Sequence, residues 1–328
     1  MGMMQPTLLW AVHLSDGVLS WPWLLGGFVL SGVLCLVAAW GIRDEEIPRI
    51  AVLTAAFFVA SSIHVKLGPT SQHLLLNGLV GVVLGWRAPL AILLGVGLQA
   101  LLVPHGGLTT IGINACTQTL PALAGAGLFR LFHGQLDISR SVVHWMLLAC
   151  SALLWGGCLW LGLAVLLTHP WHGLFHLSMQ SGLVLSLDNL APTWQLATQP
   201  LALGLLALFV AGSVLWLHRA GVNGAFSLGL LLGVFAVLST VTLASGVLVL
   251  GGGAEQWGVF VNAIFLAHLP LALLEGLILG VTVSFLARVK PEIFSVTRAM
   301  PRGRLEGATP AANADRLASE PACVSGWR

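Results

Sequence analysis

Apolar runs of membrane length recur along almost the whole chain, and they leave few folds open to it. Divided at charges, prolines and glycine clusters, they lie near residues 20–42, 50–66, 73–86, 88–104, 112–133, 142–168, 198–219, 223–250 and 257–288. A bilayer-crossing helix needs about 20 predominantly apolar residues. The runs are rich in Leu, Val, Gly and Ala and lack the alternation of barrel strands. The chain is 57% hydrophobic and only 8% charged, against about 25% charged in soluble domains. The sequence therefore predicts an all-α integral membrane protein, a polytopic bundle of about nine transmembrane helices. The runs at 73–86 and 88–104 are short, and the polar segments beside them at 67–73 and 104–112 predict tilted helices or a broken helical pair. Irregular backbone at membrane depth is tolerated where it is buried in protein or lines a cavity.

The basic residues set an orientation. Arg43, Arg49, Arg87, Arg130, Arg140, Arg219, Arg288 and Lys290 fall in alternate connections, which leaves Lys66 on the opposite side. The positive-inside rule then places the N-terminus outside and the C-terminus in the cytoplasm. His13, His64, His73, His105, His169, His172, His176 and His268 fall on or near the outer face, and His133, His144 and His218 near the inner one. The net charge of +2 reflects topology rather than affinity for nucleic acid. Five scattered cysteines without a Cys-x-x-Cys pair argue against a disulfide framework or a zinc ribbon. Residues 1–11 form an N-terminal extension without the features of a signal peptide. Residues 12–294 form the transmembrane domain, and residues 295–328 a polar cytoplasmic tail whose composition predicts disorder.

Chemistry is concentrated in a few short polar segments. In His13-Leu14-Ser15-Asp16-Gly17, an imidazole stands beside a carboxylate. The pair reads either as a metal ligand with its orienting acid or as the capped start of the first helix. His64 and His73 bracket Gly68-Pro69, and each is a ligand candidate or an interfacial histidine. His105-Gly106-Gly107, followed by Thr109, Thr110 and Asn114, is a tight polar re-entry into the next span. Its hydroxyl and amide groups can satisfy freed backbone groups. His268 and Glu275 are seven residues apart on one face of the last span. An ionisable residue in a span is a functional candidate, though a buried strut between helices suits Glu275 better than direct ligation. His-Glu-x-x-His, Gly-x-Ser-x-Gly and P-loop signatures are absent, so a nucleotide-driven process requires partner subunits.

These segments resemble the nickel/cobalt substrate-binding membrane subunits of energy-coupling-factor transporters, the CbiM/NikM type. The resemblance rests on His13-Leu14-Ser15-Asp16-Gly17-Val18-Leu19, on Ser71-Gln72-His73 with Asn77-Gly78-Leu79, and on Gly106-Gly107-Leu108-Thr109-Thr110-Ile111-Gly112-Ile113-Asn114. It continues in Ala267-His268-Leu269-Pro270 with Glu275-Gly276, through Val289-Lys290-Pro291-Glu292. It implies a near-planar nitrogen site for Ni²⁺ or Co²⁺. The implied ligands are His13 (imidazole and backbone nitrogen), His73 and the free amine of residue 12, with Asp16, Ser71, His105, Thr109, Asn114 and His64 in support. An amine at Val12 requires the eleven preceding residues to be untranslated or removed. A GTG start codon read as methionine is one route to that.

The resemblance further implies a multi-pass protein of the bacterial inner membrane that captures the ion outside and holds no permanent cofactor. ATPase subunits and a transmembrane coupling subunit are its implied partners, in a system tied to cobalamin biosynthesis or nickel enzymes. The region 169–256 is longer than the family's usual form, which leaves open the need for a small accessory membrane subunit. The competing readings are a self-sufficient secondary metal permease and an intramembrane metalloenzyme. The first lacks a relay of buried carboxylates, and the second lacks a convincing general base beyond Asp16.

Overall fold

The computed structural model describes residues 13–67, 70–103, 106–133, 142–168, 195–219, 224–252 and 254–295. The expectations for residues 1–11, for Val12, His105 and the histidines at 169, 172 and 176, and for the tail beyond Ser295 fall outside them. The helices are α1 (Trp21–Ala39), α2 (Ile47–Ser62), α3 (Asn77–Leu84), α4 (Ala88–Leu102), α5 (Ile111–His133), α6 (Val142–Thr168), α7 (Pro200–Arg219), α8 (Gly224–Gly252), α9 (Ala254–Val289) and α10 (Glu292–Ser295). Among the described residues, four stretches are long and apolar enough to cross a membrane: Trp21–Ala39, Asn77–Leu102, Gly224–Gly251 and His268–Val289. Shorter apolar helices run over His144–Trp160 and Pro200–Trp216.

The second of those stretches is not one straight helix. At Gly85 the backbone takes φ 59° and ψ −125°, and a 3₁₀ turn over Gly85–Arg87 separates α3 from α4. Three registers show the reversal. α3 runs alongside α5 in the same direction, with Asn77 against Gln118 and Gly81 against Ala122. α4 runs alongside α2, with Gly95 against Phe57 and Gln99 bonded to Ser61. α1 opposes α4, with Cys35 at Pro89 and Ala38 at Arg87. The two short runs thus fold back as a helical pair.

A second departure lies at the end of α2. The apolar run to residue 66 is not helical throughout: the helix stops at Ser62, and His64–Leu67 (β1) pairs antiparallel with Thr70–His73 (β2) as a two-stranded hairpin. Its register pairs His64 with His73, Val65 with Gln72, Lys66 with Ser71 and Leu67 with Thr70. The fold is helical as expected, and the expectation corrected is the extent of the run at 50–66, which ends as helix at Ser62. β-branched Val65 and Thr70 suit strands, and Gly68-Pro69 in the intervening stretch is the composition of a turn.

The helices converge on two ends. Leu14, Leu19, Leu24, Ile113 and Leu248 cluster at one, which also carries the hairpin. Val82, Phe129, Ala225, Leu228, Val283 and Phe294 cluster toward the other. Between them α8 and α9 lie with their backbones in contact. A Cβ on Gly233 would stand 2.7 Å from the Gly276 Cα, and one on Gly229 would stand 2.8 Å from the Gly280 Cα. Paired small residues at four-residue spacing permit this approach. It fixes α9 against α8 at the level of Glu275.

Candidate metal site

Two histidines from distant parts of the chain meet at the first end. His13 and His73 are both buried, and their rings stack with centroids 5.1 Å apart at 27°. His73 Nδ1 lies 3.0 Å from the Leu74 carbonyl oxygen. A carbonyl only accepts, so Nδ1 carries the proton and Nε2 is the basic, ligand-type nitrogen. With metal–nitrogen bonds of about 2 Å, imidazole rings on one ion have centroids no more than roughly 6.5 Å apart, and this pair falls inside that span.

The segment carrying His13 is held by α5 and by the turn before it. Asn114 makes a reciprocal pair with the backbone of Leu14: the Leu14 N–H donates to Oδ1 at 2.9 Å, and Nδ2 donates to the Leu14 carbonyl at 3.0 Å. The Thr110 hydroxyl donates to the same carbonyl at 2.6 Å. Asp16 accepts from the N–H groups of Leu108 (3.0 Å) and Thr109 (2.9 Å) and from the Thr109 hydroxyl. Gly107 lies so close to the Asp16 carboxylate that a Cβ there would overlap it. Asp16 therefore ties two loops together. It is not the cap of the first helix, whose N-cap position is Ser20.

The segment carrying His73 is held from other elements. Glu275, buried on α9, accepts from the backbone N–H of Leu75 and, at 3.0 Å, from that of Leu76. Asn77, fully buried, donates through Nδ2 to the Gln118 carbonyl at 3.1 Å and to Thr240 Oγ1 at 2.7 Å. His268, two turns before Glu275, is buried, and its Nδ1 lies 2.6 Å from the Ile264 carbonyl within α9. His64 and Ser71 enter through the hairpin backbone, His64 as the cross-strand partner of His73. Thr110 meets a backbone carbonyl, as its place in the polar re-entry led one to expect, whereas Asn77 and Gln118 were not singled out from sequence as site residues. For Asn77 the signal available was an amide at the first position of the helix that follows a histidine segment.

Removing the Asn114 amide should have a measurable cost. Asn114→Leu leaves the Leu14 N–H buried without its acceptor, at about 1–3 kcal/mol. It also frees the residue next to His13, which should weaken metal binding by roughly 10–100-fold. Asn114→Asp keeps the acceptor and loses the donor, so it should fall between Leu and Asn. Thermal melting and metal titration of the three proteins give the ranking.

Similarity to known proteins bears on the family to which the chain belongs. The family described as the cobalt uptake substrate-specific transmembrane region, CbiM, matches residues 13–202 and 158–293. A putative metal transport protein of Haemophilus influenzae is 42% identical over 119 residues, which is 36% of this chain and 58% of that protein. The cobalt transport protein CbiM of Thermosediminibacter oceani is 30% identical over 148 residues, 42% of this chain and 59% of that one. The chain thus spans a little under three fifths of the length of these two relatives. A crystal structure of a transition metal transporter superposes with a TM-score of 0.47 at 18% identity, covering 89% of this chain and 100% of that chain. Since the family match takes in both histidine segments and continues through the last long helix, the chain belongs to the CbiM family of cobalt-uptake substrate-specific transmembrane regions.

Proposed function

We propose that this protein is the membrane component that captures Ni²⁺ or Co²⁺ for uptake by an energy-coupling-factor transporter. The observation that supports the reading most strongly is the buried, stacked pair His13 and His73, assembled from segments 60 residues apart. Imidazole nitrogens suit borderline divalent ions and offer little to ions that prefer shells of oxygen. The ligand set is His13, His73 and the amine of residue 12, with Asp16, Thr109 and Asn114 holding the N-terminal segment. His64 and Ser71 lie on the two strands of the hairpin that carries His73, and His105 falls outside the described residues. Partner ATPases and a membrane coupling subunit supply the energy, and the protein resides in the bacterial inner membrane as a multi-pass chain. The ion is cargo, bound on the outer side and released inward.

The test is metal titration of the purified protein. His13→Ala and His73→Ala should each lower Ni²⁺ and Co²⁺ affinity by at least about 100-fold, more than loss of an outer partner costs. The metal-free proteins should stay folded. Parental binding by both variants would remove the histidine pair from the site.

A further inference from the structure

The metal ligand His73 is separated by one residue from a stretch of backbone gripped from a different part of the chain. Leu75 and Leu76 both donate their N–H groups to Glu275, 200 and 199 residues away on α9. Leu76 takes φ 49°, and it is the one non-glycine residue with positive φ among the described residues. Leucine avoids the left-handed region, and such a conformation persists where its surroundings over-determine it. Leu75 is also buried in the cluster that holds Val241, Ala244, Ile264 and Ala272 of α8 and α9. The path from the end of β2 to the start of α3 is therefore set by where α9 stands.

We propose that Glu275 is a positioning residue for His73, and that through it the placement of α9 sets the affinity of the metal site. The proposal rests on the reading of His73 as a ligand. The two carboxylate oxygens take two successive N–H groups, a bidentate grip that fixes both the direction and the depth of the segment leaving His73. α9 cannot shift at this level without dragging that segment, because Glu275 holds both of its N–H groups, while the close approach of Gly276 to Gly233 sets the resting position of α9 against α8. A partner that moved α9 would loosen the ligand without approaching the metal, so release could be driven from the far end of the helix.

The test uses the purified full chain, Ni²⁺ as probe, and the ligand-field absorption band of bound Ni²⁺ as a second readout. Glu275→Gln keeps one accepting oxygen and turns the other side of the group into a donor facing an N–H. It should weaken Ni²⁺ binding by roughly 10–100-fold and shift the absorption band. Glycine adopts the left-handed conformation without cost, so adding Leu76→Gly to Glu275→Gln should recover part of the lost affinity. The double variant also carries the test if the single one does not fold. A merely structural Glu275 would lower the melting temperature and leave the affinity and band of the folded fraction unchanged, and that result would overturn the proposal. Absence of Ni²⁺ and Co²⁺ binding by the parent would sink the metal reading itself, and this inference with it.

Discussion

A chain shortened to begin at residue 12, with methionine in place of valine there, is expected to bind Ni²⁺ at least about 100-fold more tightly than the full sequence, beyond what an outer partner supplies. An amine is a σ-donor once it loses its proton. The same nitrogen in a peptide bond has its lone pair delocalised into the carbonyl and is a poor ligand until it is deprotonated. The shortened chain offers an amine, the next backbone nitrogen and the His13 imidazole from consecutive atoms of one segment, with His73 closing the set from β2. That segment is pinned immediately after His13, by Asn114 and Thr110 at Leu14 and by Asp16 two residues further on. Because the amine and imidazole must both be deprotonated, affinity should fall as the pH is lowered. Isothermal titration of both chains at two pH values reads all of this. Equal affinities would remove the amine from the ligand set and leave the two imidazoles as its protein part.

The sequence revealed the components of the site more readily than the contacts that assemble it. His13, His73 and Asn114 stand out because polar residues between membrane-length apolar runs are few, and each has a glycine or hydroxyl residue two positions away. What joins them spans long separations: Leu14 to Asn114 is 100 residues, and Leu75 to Glu275 is 200. No periodicity encodes such pairs. Asp16 shows the cost of reading locally, since its nearest chemistry in the sequence is His13 and its partners are Leu108 and Thr109. The hairpin at 64–73 was hidden for a different reason. Its strands are four residues each, too short for alternation to register, and the first continues an apolar run that reads as helix. The fold-back at Gly85–Arg87 was partly legible, because Pro89 and Arg87 interrupt two runs too short to cross alone. The conformation of Leu76 has no signature in the sequence at all.

At the end opposite the histidines, replacing Arg87 is expected to destabilise the protein more than any substitution in the candidate site. The guanidinium is buried and donates to the carbonyls of Ala38, Trp40 (2.9 Å) and Gly41 (2.8 Å), which leave the C-terminus of α1. It also donates to both oxygens of Glu46, at 3.3 and 2.8 Å, and its Cζ lies 3.6 Å from the centroid of the Trp86 ring. One planar fork thus ties the end of α1, the 3₁₀ turn before α2 and the turn between α3 and α4. Arg87→Ala strands three carbonyls and a carboxylate together. Breaking a buried pair by removing one partner costs about 3–5 kcal/mol, which should lower the melting temperature by roughly 6 °C or more. Arg87→Lys should recover only part of this, since an ammonium cannot reproduce the fork.

Glu46 gives the same clamp a pH dependence. Its partial burial would raise the carboxyl, but hydrogen bonds from Arg87 and from the Arg43 N–H, with the charges of both arginines, outweigh burial and hold it below its ordinary value. A lowered folded value means the stabilisation is complete above the unfolded carboxylate range, near about 4.3. It is lost as the pH falls through the lower, folded value. The parent should therefore melt progressively earlier on acidification below that range, while Glu46→Gln should start lower at neutral pH and lose less over the same interval. In Arg87→Ala the acid loss should shrink as well, because the largest of the stabilising partners is gone. Parallel melting curves for all three proteins across the acid range would instead place the acid sensitivity on other carboxylates and reduce Arg87 to its carbonyl contacts alone.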